Sequence, residues 1–573
     1  MIAPEDLRGR LPLVDAAPDR KRADRPTIEI ETLAWERIQL VVRARILPGL
    51  AVDPATVRLE PDDHVGPAMR PTHASREGDD LYLRFNVMQG PGQEPLAAGR
   101  WELISLATEG VPRASRASGM PRMSGVAIGV ANGRALDPYA HAREFALSRG
   151  SYRVEPAIDP FDATFVLDVR LSRSRLFGSR MPWGGILARL RQLTRLRELR
   201  RRGFALLYHL NGALHRRDGS RILFTSDSHE QLSGNLKVIH DRMVERGLDR
   251  DHRLLTLFKP SVAAPRTWRD RFRMPRLLAS ADVILLDDYQ PVIYRIEPAR
   301  GVRIIQLWHA SGAFKTVGYS RVGKPGGPSP WSRTHKNYTR AIVSSDFDVP
   351  FYAEAFGIPE RRVVPTGIPR MDRFFDERAS ASARQEALSA FPEIAGRRTF
   401  LLAPTFRGKG PRDAYYDVDL VDVAALHQLA VEKDAVVIVK LHPFVRQPLS
   451  IPQQFADRIV DGSRSSIDVN DLLFAVDVLI TDYSSIVFEY STLGRPMLFF
   501  AYDLEDYVAT RDFYVPFEEF VPGRIVRTFD ELLDAMRRDD YQAEKVAAFA
   551  ARHFSHLDGG STDRVIDQLI LAR

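Results

Sequence analysis

Five apolar runs of this 573-residue chain end in groups that bind or move charge. Trp308-His309-Ala310-Ser311 follows Ile304 to Leu307, and Thr366-Gly367-Ile368-Pro369-Arg370 follows Val363-Val364. Pro404-Thr405-Phe406-Arg407 follows Thr399 to Ala403, and Lys440-Leu441-His442-Pro443 follows Val436 to Val439. Thr481-Asp482-Tyr483-Ser484-Ser485 follows Val476 to Ile480. A histidine such as His309, seen alone, reads as a satisfied core residue. Five polar strand ends in succession do not read that way.

The residue types suit phosphate chemistry. Lys440 and His442 lie two apart in extended chain, hence on one side. The lysine is a point charge for phosphate oxygens, and a neutral imidazole donates to a phosphoryl oxygen or relays a proton. Arg370 and Arg407 offer planar forks for bidentate phosphate contacts. Asp482, Ser484 and Ser485 stand where a helix begins, so free N–H groups, two hydroxyls and the helix dipole favour an anion there. Glu489, one turn deeper, is placed to accept hydrogen bonds from ribose hydroxyls. The set fits a nucleoside diphosphate. No P-loop, dinucleotide fingerprint or metal cluster is present in the sequence. No metal and no cofactor are expected, and lysine and arginine take over charge neutralisation.

Elements must bring these ends together. Apolar strands alternating with helical stretches imply parallel sheets covered on both faces, with ligands at the carboxyl ends of the strands. The first series runs through 221–225, 281–287 and 302–307; a second begins at 341–346 and continues through 399–406, 435–443, 476–485 and 496–503. The expected fold class is therefore α/β, with two Rossmann-like domains across a cleft. Before them, short alternating stretches separated by Gly, Pro and Asp read as a small antiparallel β-sandwich. The expected division is a flexible N-terminus at 1–26, the β-sandwich-like domain at 27–171, a basic helical segment at 172–215, the first Rossmann-like domain at 216–335 and the second at 336–573, closing with a C-terminal helix.

The absence of cysteine excludes disulfides, a thiol nucleophile and Cys-ligated zinc, and suits the cytoplasm. No apolar run of about 18 residues marks a membrane span, and the N-terminus lacks a secretory h-region. Net charge is +7, with a sequence pI near 9.4. That balance suits an anionic partner such as nucleic acid, a membrane surface or a phosphorylated substrate. In 172–203, Leu190, Leu193, Leu196 and Leu199 recur among arginines that include Arg200 to Arg202. This is an imperfect amphipathic helix, either solvated or laid on an anionic membrane.

Seven ordered motifs between residues 220 and 565 resemble the CDP-glycerol glycerophosphotransferases, the teichoic acid primases and polymerases. They are FTSDSHEQLSGN (224–235), QLWHASGAFKTVG (306–318), VPTGIPRMDRFF (364–375), LLAPTFRG (401–408), IVKLHP (438–443), DVLITDYSSIVFEYSTLGRPMLFFAYDLEDY (477–507) and HLDGGSTDRV (556–565). The resemblance implies a GT-B fold, with the acceptor on the first Rossmann-like domain and the nucleotide donor on the second. It implies transfer of a polyol phosphate, glycerol phosphate first among them, from a CDP-polyol to a lipid-linked glycan or polyol-phosphate acceptor at the inner membrane face, with release of CMP and no nucleic acid involved. On this resemblance His309 and His442 are catalytic. Ala310, Ser311, Lys315, Arg370, Thr405, Phe406, Arg407, Lys440, Ser484, Ser485 and Glu489 contact substrate. The family usually reads W-H-G, whereas this chain has Ala310, whose methyl narrows the approach to the backbone. Two rivals share the same residues: a glycosyltransferase using a nucleotide sugar to build a surface glycan, and an anchoring module whose catalytic part has decayed.

Overall fold

The computed structural model describes residues 14–15, 28–48, 52–62, 66–106, 125–130, 134–135, 141–147, 150–159, 164–172, 201–215 and 217–572, apart from 262, 263, 265, 409 and 411. The leucine-arginine repeat at 190–199 and most of the expected flexible N-terminus lie outside the described residues. Within 1–26, Val14–Asp15 pairs antiparallel with Arg134–Ala135.

The N-terminal region departs from a two-sheet sandwich. Beside that two-stranded pair, ten strands form one hydrogen-bonded sheet among the described residues, antiparallel except where Ile28–Glu36 runs parallel to Gly125–Val130. Alternation is clear in Asp80–Asn86, where Leu81, Leu83 and Phe85 are buried, and Leu40, Val42, Ala44 and Ile46 of Gln39–Ile46 join them. The sheet curls on itself. Trp35 touches Phe145, five strands away along the hydrogen-bonded path, with ring centroids 6.2 Å apart. One core therefore serves both ends of the sheet.

This sheet domain is docked on the α/β part of the chain through residues that include 319–323 and 331–361. Arg37 Nε lies 2.6 Å from Glu354 Oε1, and Gln39 Nε2 donates to Glu354 Oε2 at 2.7 Å. Trp331 sets its ring against Tyr152, and Lys336 Nζ donates to the Gln93 carbonyl.

The α/β part contains two parallel sheets of six strands. In the first the order is Arg253–Phe258, Arg221–Ser226, Val283–Leu286, Arg303–Gln306, Arg340–Ile342 and Val363–Val364. The expected boundary at 335/336 is thus corrected: the strands at 340 and 363 belong to the first sheet, through Gln306↔Ala341 and Ile342↔Val364. An apolar run does not state which sheet it joins. In the second sheet the order is Ile459–Asp461, Ala435–Val439, Arg398–Leu402, Val478–Thr481, Met497–Phe500 and Arg524–Val526. All residues of Ala435–Val439 are buried, as a strand covered on both faces requires.

The C-terminal helical stretch leaves the second sheet and returns to the first. Asp563 pairs with Arg242 (2.7 Å) of the helix Gly234–Glu245 and with Arg246 (3.0 Å) just after it, and Arg303 donates to the Leu569 carbonyl.

Candidate active site

In both sheets the strand order reverses beside the strand that comes first in the chain. Connections leaving the two neighbouring strands there diverge and open a crevice at their carboxyl ends. The second sheet, read by chain order as 3-2-1-4-5-6, has the dinucleotide-binding arrangement. Its crevice lies between Arg398–Leu402 and Val478–Thr481, the strands that carry Thr405-Phe406-Arg407 and Asp482 to Ser485.

Inside that crevice the polar run divides by role. Thr481 Oγ1 donates to the Ala403 carbonyl at 2.7 Å. Asp482 Oδ1 accepts from the N–H groups of Thr405 (2.8 Å) and Tyr483 (2.6 Å), and its Oδ2 accepts from Arg407 Nη1 (2.8 Å). Arg407 is buried and also forks onto Asp503 through Nε (2.7 Å) and Nη2 (2.8 Å). The rings of Tyr416, Tyr483, Tyr502 and Tyr507 surround it at 5.1–5.8 Å. The expectation that Arg407 presents a free fork to phosphate is corrected, because two carboxylates already occupy it. Ser484 is half-buried and Ser485 exposed. The helix they precede, Ile486–Ser491, is only six residues long, and Ser485 makes no capping bond.

Lys440 is likewise engaged, donating to the carbonyls of Gly462 (3.0 Å) and Ser465 (3.4 Å). His442 is held differently. Its Nδ1 accepts the Phe444 N–H at 3.2 Å, and its ring packs on Phe406 (4.7 Å) and Phe444 (4.6 Å). A backbone N–H can only donate, so Nδ1 is unprotonated and the neutral ring carries its proton on Nε2. Partial burial, and then the charge of Lys315, lower its pKa and keep it neutral.

The crevice of the first sheet lies between Arg221–Ser226 and Val283–Leu286, and its residues, although Ser228 and His229 fall in the motif 224–235, were assigned no role from sequence. His229 Nδ1 faces the Gln231 carbonyl (2.7 Å) and Nε2 faces Asp287 (2.9 Å). Both ring nitrogens meet acceptors, and the bond to Asp287 raises the pKa, which favours an imidazolium. Asp288 accepts from Ser228 Oγ at 2.6 Å, and its other oxygen lies 3.6 Å from His309 Nδ1. The signal was available: Asp287-Asp288 directly follows the apolar run 283–286.

His309 stands one strand further on, 59 % exposed. Its peptide is fixed from both sides. Trp308 occupies the left-handed region (φ 51°), donates its N–H to Gln306 Oε1 (2.9 Å) and accepts at its carbonyl from Asn235 Nδ2 (2.8 Å). Such a conformation costs about 1–2 kcal/mol for a residue with a side chain, and these bonds hold it. The left-handed residue of the turn is 308, so the backbone does not require glycine at the half-buried Ala310.

Three predicted residues meet where the sheets face each other. Arg370 Nη2 donates to Glu489 Oε1, to Ser311 Oγ (2.9 Å) and to the His309 carbonyl (3.2 Å), and Ser311 Oγ donates to Glu489 Oε1 (2.7 Å). Glu489 is buried, and its Oε2 has no hydrogen-bond partner among the described residues. Gly312 lies so close to Phe488 that a Cβ there would meet the ring at 2.2 Å. Lys315 is half-buried over the Tyr507 ring (5.2 Å). Burial lowers its pKa to about 8, against the pull of Asp482.

Fold and site together define an α/β protein with two parallel sheets, a histidine and an anion-seeking group at the strand ends of each, and a nucleotide-binding strand order in the second. Residues 207–571 match the CDP-glycerol:poly(glycerophosphate) glycerophosphotransferase family, and the chain belongs to it. It is 47 % identical over 366 residues to the teichoic acid ribitol-phosphate polymerase TarK of Staphylococcus aureus, covering 64 % of this chain and 71 % of that one. It is 37 % identical to the teichoic acid ribitol-phosphate primase of Bacillus spizizenii (64 % and 94 %) and 27 % identical to the teichoic acid glycerol-phosphate primase of Bacillus subtilis (51 % and 74 %). The structure of the wall teichoic acid polymerase TagF shares the fold, with a TM-score of 0.53 at 22 % identity over 68 % of this chain and 98 % of that one.

Proposed function

We propose that this enzyme transfers ribitol phosphate from CDP-ribitol to the terminal hydroxyl of a teichoic acid-type acceptor, on two Rossmann-like domains in a GT-B arrangement. The observation that carries the reading is a histidine at the strand ends of each sheet, with the second sheet in nucleotide-binding order. Ribitol replaces the glycerol first expected, because similarity to a ribitol-phosphate enzyme reaches 47 % against 27 % for the glycerol-phosphate primase.

In the proposed reaction the cytidine diphosphate lies along the second crevice, over Ser484, Ser485 and Phe406. Glu489 Oε2 offers an acceptor to the ribose hydroxyls. His309, oriented through Nδ1 by Asp288, takes the proton of the acceptor hydroxyl at Nε2. The hydroxyl oxygen bonds to the β-phosphorus, the bond from that phosphorus to the bridging oxygen breaks, and CMP leaves with that oxygen. His442 Nε2–H and the Lys315 ammonium face the charge that develops. Arg370 acts by setting Glu489 and the His309 carbonyl, while Arg407, Lys440, Thr405 and Asp482 hold the crevice in shape.

The deciding assay measures CMP release from CDP-ribitol beside CDP-glycerol and a nucleotide-sugar panel, with and without a short polyol-phosphate acceptor. Acceptor-dependent CMP release from CDP-ribitol, lost in His442→Ala, supports the reading. Turnover of a sugar donor alone would replace it with the glycosyltransferase.

Lys315 is expected to give this cleft a pH dependence. Below about pH 8 the amine is charged and attracts the diphosphate, and above it the charge is lost. The KM for the CDP donor is expected to rise as pH climbs from 7 to 9. Lys315→Met should flatten that rise and weaken donor binding at pH 7 by roughly tenfold, the worth of a charge-assisted contact. An unchanged profile in the variant would exclude the contact.

We place the enzyme peripherally at the inner membrane face. No helix among the described residues is long and apolar enough to cross a membrane. Leu206 and Leu210 on the helical stretch 201–213, and Leu214 in the turn that ends it, are exposed at intervals of four. Trp268 and Phe272 are exposed on the helix Trp268–Ser280, against which that stretch packs. The pair Leu206→Glu, Leu210→Glu should release the protein from anionic vesicles; sedimentation equal to wild type would remove this assignment.

A further inference from the structure

The seam between the N-terminal sheet and the first parallel-sheet domain holds a half-open cavity of about 350 Å³. That volume lies within the range of small-ligand sites. Its floor is built rather than incidental. Gln39 is buried, donating to Glu354 Oε2 (2.7 Å) and accepting from Thr72 Oγ1 (3.2 Å). The Glu354 carboxylate is itself buried and balanced by Arg37 at 2.6 Å. The floor therefore carries no net charge and fixed polar groups. The Gln89 amide and the carboxyl of Glu360, whose pKa burial raises, add hydrogen-bonding positions on the walls. At the rim stand two exposed guanidinium groups, Arg70 from the sheet domain and Arg361 from the other.

Amide and carboxyl groups inside with arginine forks at the mouth suit a ligand that alternates hydroxyls with phosphates. The cavity also has a physical link to the cleft. Glu354 and Ala353 line it from the helix Val349–Phe356, and the same helix donates from Tyr352 Oη to the Gly312 carbonyl at 3.1 Å. Asp348, just before the helix, accepts the Ala313 N–H at 3.0 Å. Eight helical residues rise only about 12 Å, so a chain seated in the cavity lies close to the 309–314 loop.

We propose that this cavity is an exosite for the acceptor, holding a polyol-phosphate unit of the growing chain behind its reacting end. The proposal rests on the polyol-phosphate reading of the cleft and gives the docked sheet domain a role in polymer length. Its test uses the full chain and a fluorescent ribitol-phosphate oligomer, read by anisotropy and therefore independent of any donor. Arg70→Glu with Arg361→Glu should weaken oligomer binding at least tenfold and shorten the polymer, while leaving first-unit transfer to a saturating short acceptor unchanged. Ribitol 5-phosphate should displace the oligomer better than inorganic phosphate does. The charge-matched pair Arg378→Glu, Arg538→Glu, on exposed positions elsewhere, should bind as wild type. Unchanged binding in the first pair, an equal loss in the second, or equal displacement by inorganic phosphate would overturn the exosite. Normal oligomer binding with no CMP release from either CDP-polyol would instead overturn the donor reading and leave the exosite standing.

Discussion

His309→Ala is expected to lower polyol-phosphate transfer by about 10²- to 10⁴-fold, the usual worth of a positioned general base, while leaving the melting transition in place. The two halves of that expectation come from different observations. The side chain is 59 % exposed, so its removal empties no cavity. Exposed substitutions away from packed features ordinarily change stability by less than about 0.5 kcal/mol. Around the imidazole, however, the backbone is held in a costly conformation by Gln306 and Asn235, and Asp288 stands 3.6 Å from Nδ1. The imidazole stacks on Trp308 at 4.4 Å but is otherwise open to solvent, so the braced turn is consistent with the proposed role as base. Asp288→Asn should cost less, since the proposed base remains and only its orientation and charge balance suffer. Steady-state rates and thermal melts on the same preparations separate the cases. Near-wild-type turnover in His309→Ala would remove the base assignment, and a loss of activity that tracked a lowered melting temperature would make the residue structural.

Strand ends were legible because a parallel strand buried on both faces leaves an apolar run that stops abruptly, as Ala435–Val439 stops at Lys440. What such a run does not carry is its partner. Arg340–Ile342 reads like any strand of either sheet, and its place beside Arg303–Gln306 is decided by pairing across the cleft-bearing loop 307–339. The same limit explains the N-terminal sheet. Alternation identifies each strand and its inward face, but one curled sheet and two stacked sheets need the same alternation. The site divides along this line as well. Residue types at the strand ends pointed to phosphate chemistry, whereas the role of each depended on partners far away in sequence. Glu489 finds Arg370 119 residues away, and Arg407 finds Asp503 96 residues away. Asp287 was read only as the end of the run 281–287, and Asp288 beside it was given no role.

Arg407→Ala is expected to destabilise the second domain by about 3–5 kcal/mol, the cost of removing one partner from a buried ion pair. Burial alone works against the guanidinium charge; the nearby Asp482 carboxylate and the fork onto Asp503 more than offset it and raise the pKa above the ordinary arginine value. With the arginine gone, Asp482 stays buried with the Thr405 and Tyr483 N–H groups as its hydrogen-bond donors among the described residues and Lys315 as the nearby charge, and Asp503 keeps the Tyr483 hydroxyl at 3.0 Å. Two carboxylates would then share a cage of four tyrosine rings, which offers little to stabilise anions. Arg407→Lys restores a charge but not the fork that reaches both carboxylates, so it should recover only part of the loss. Adding Asp482→Asn to Arg407→Met removes one stranded charge and should be less destabilising than Arg407→Met alone. Urea unfolding followed by tyrosine fluorescence measures all four variants on one scale. A wild-type midpoint in Arg407→Ala, accompanied by a raised donor KM, would return this arginine to the role of a phosphate fork. A lowered midpoint with the recovery in the double variant would make it the post on which the nucleotide crevice is built.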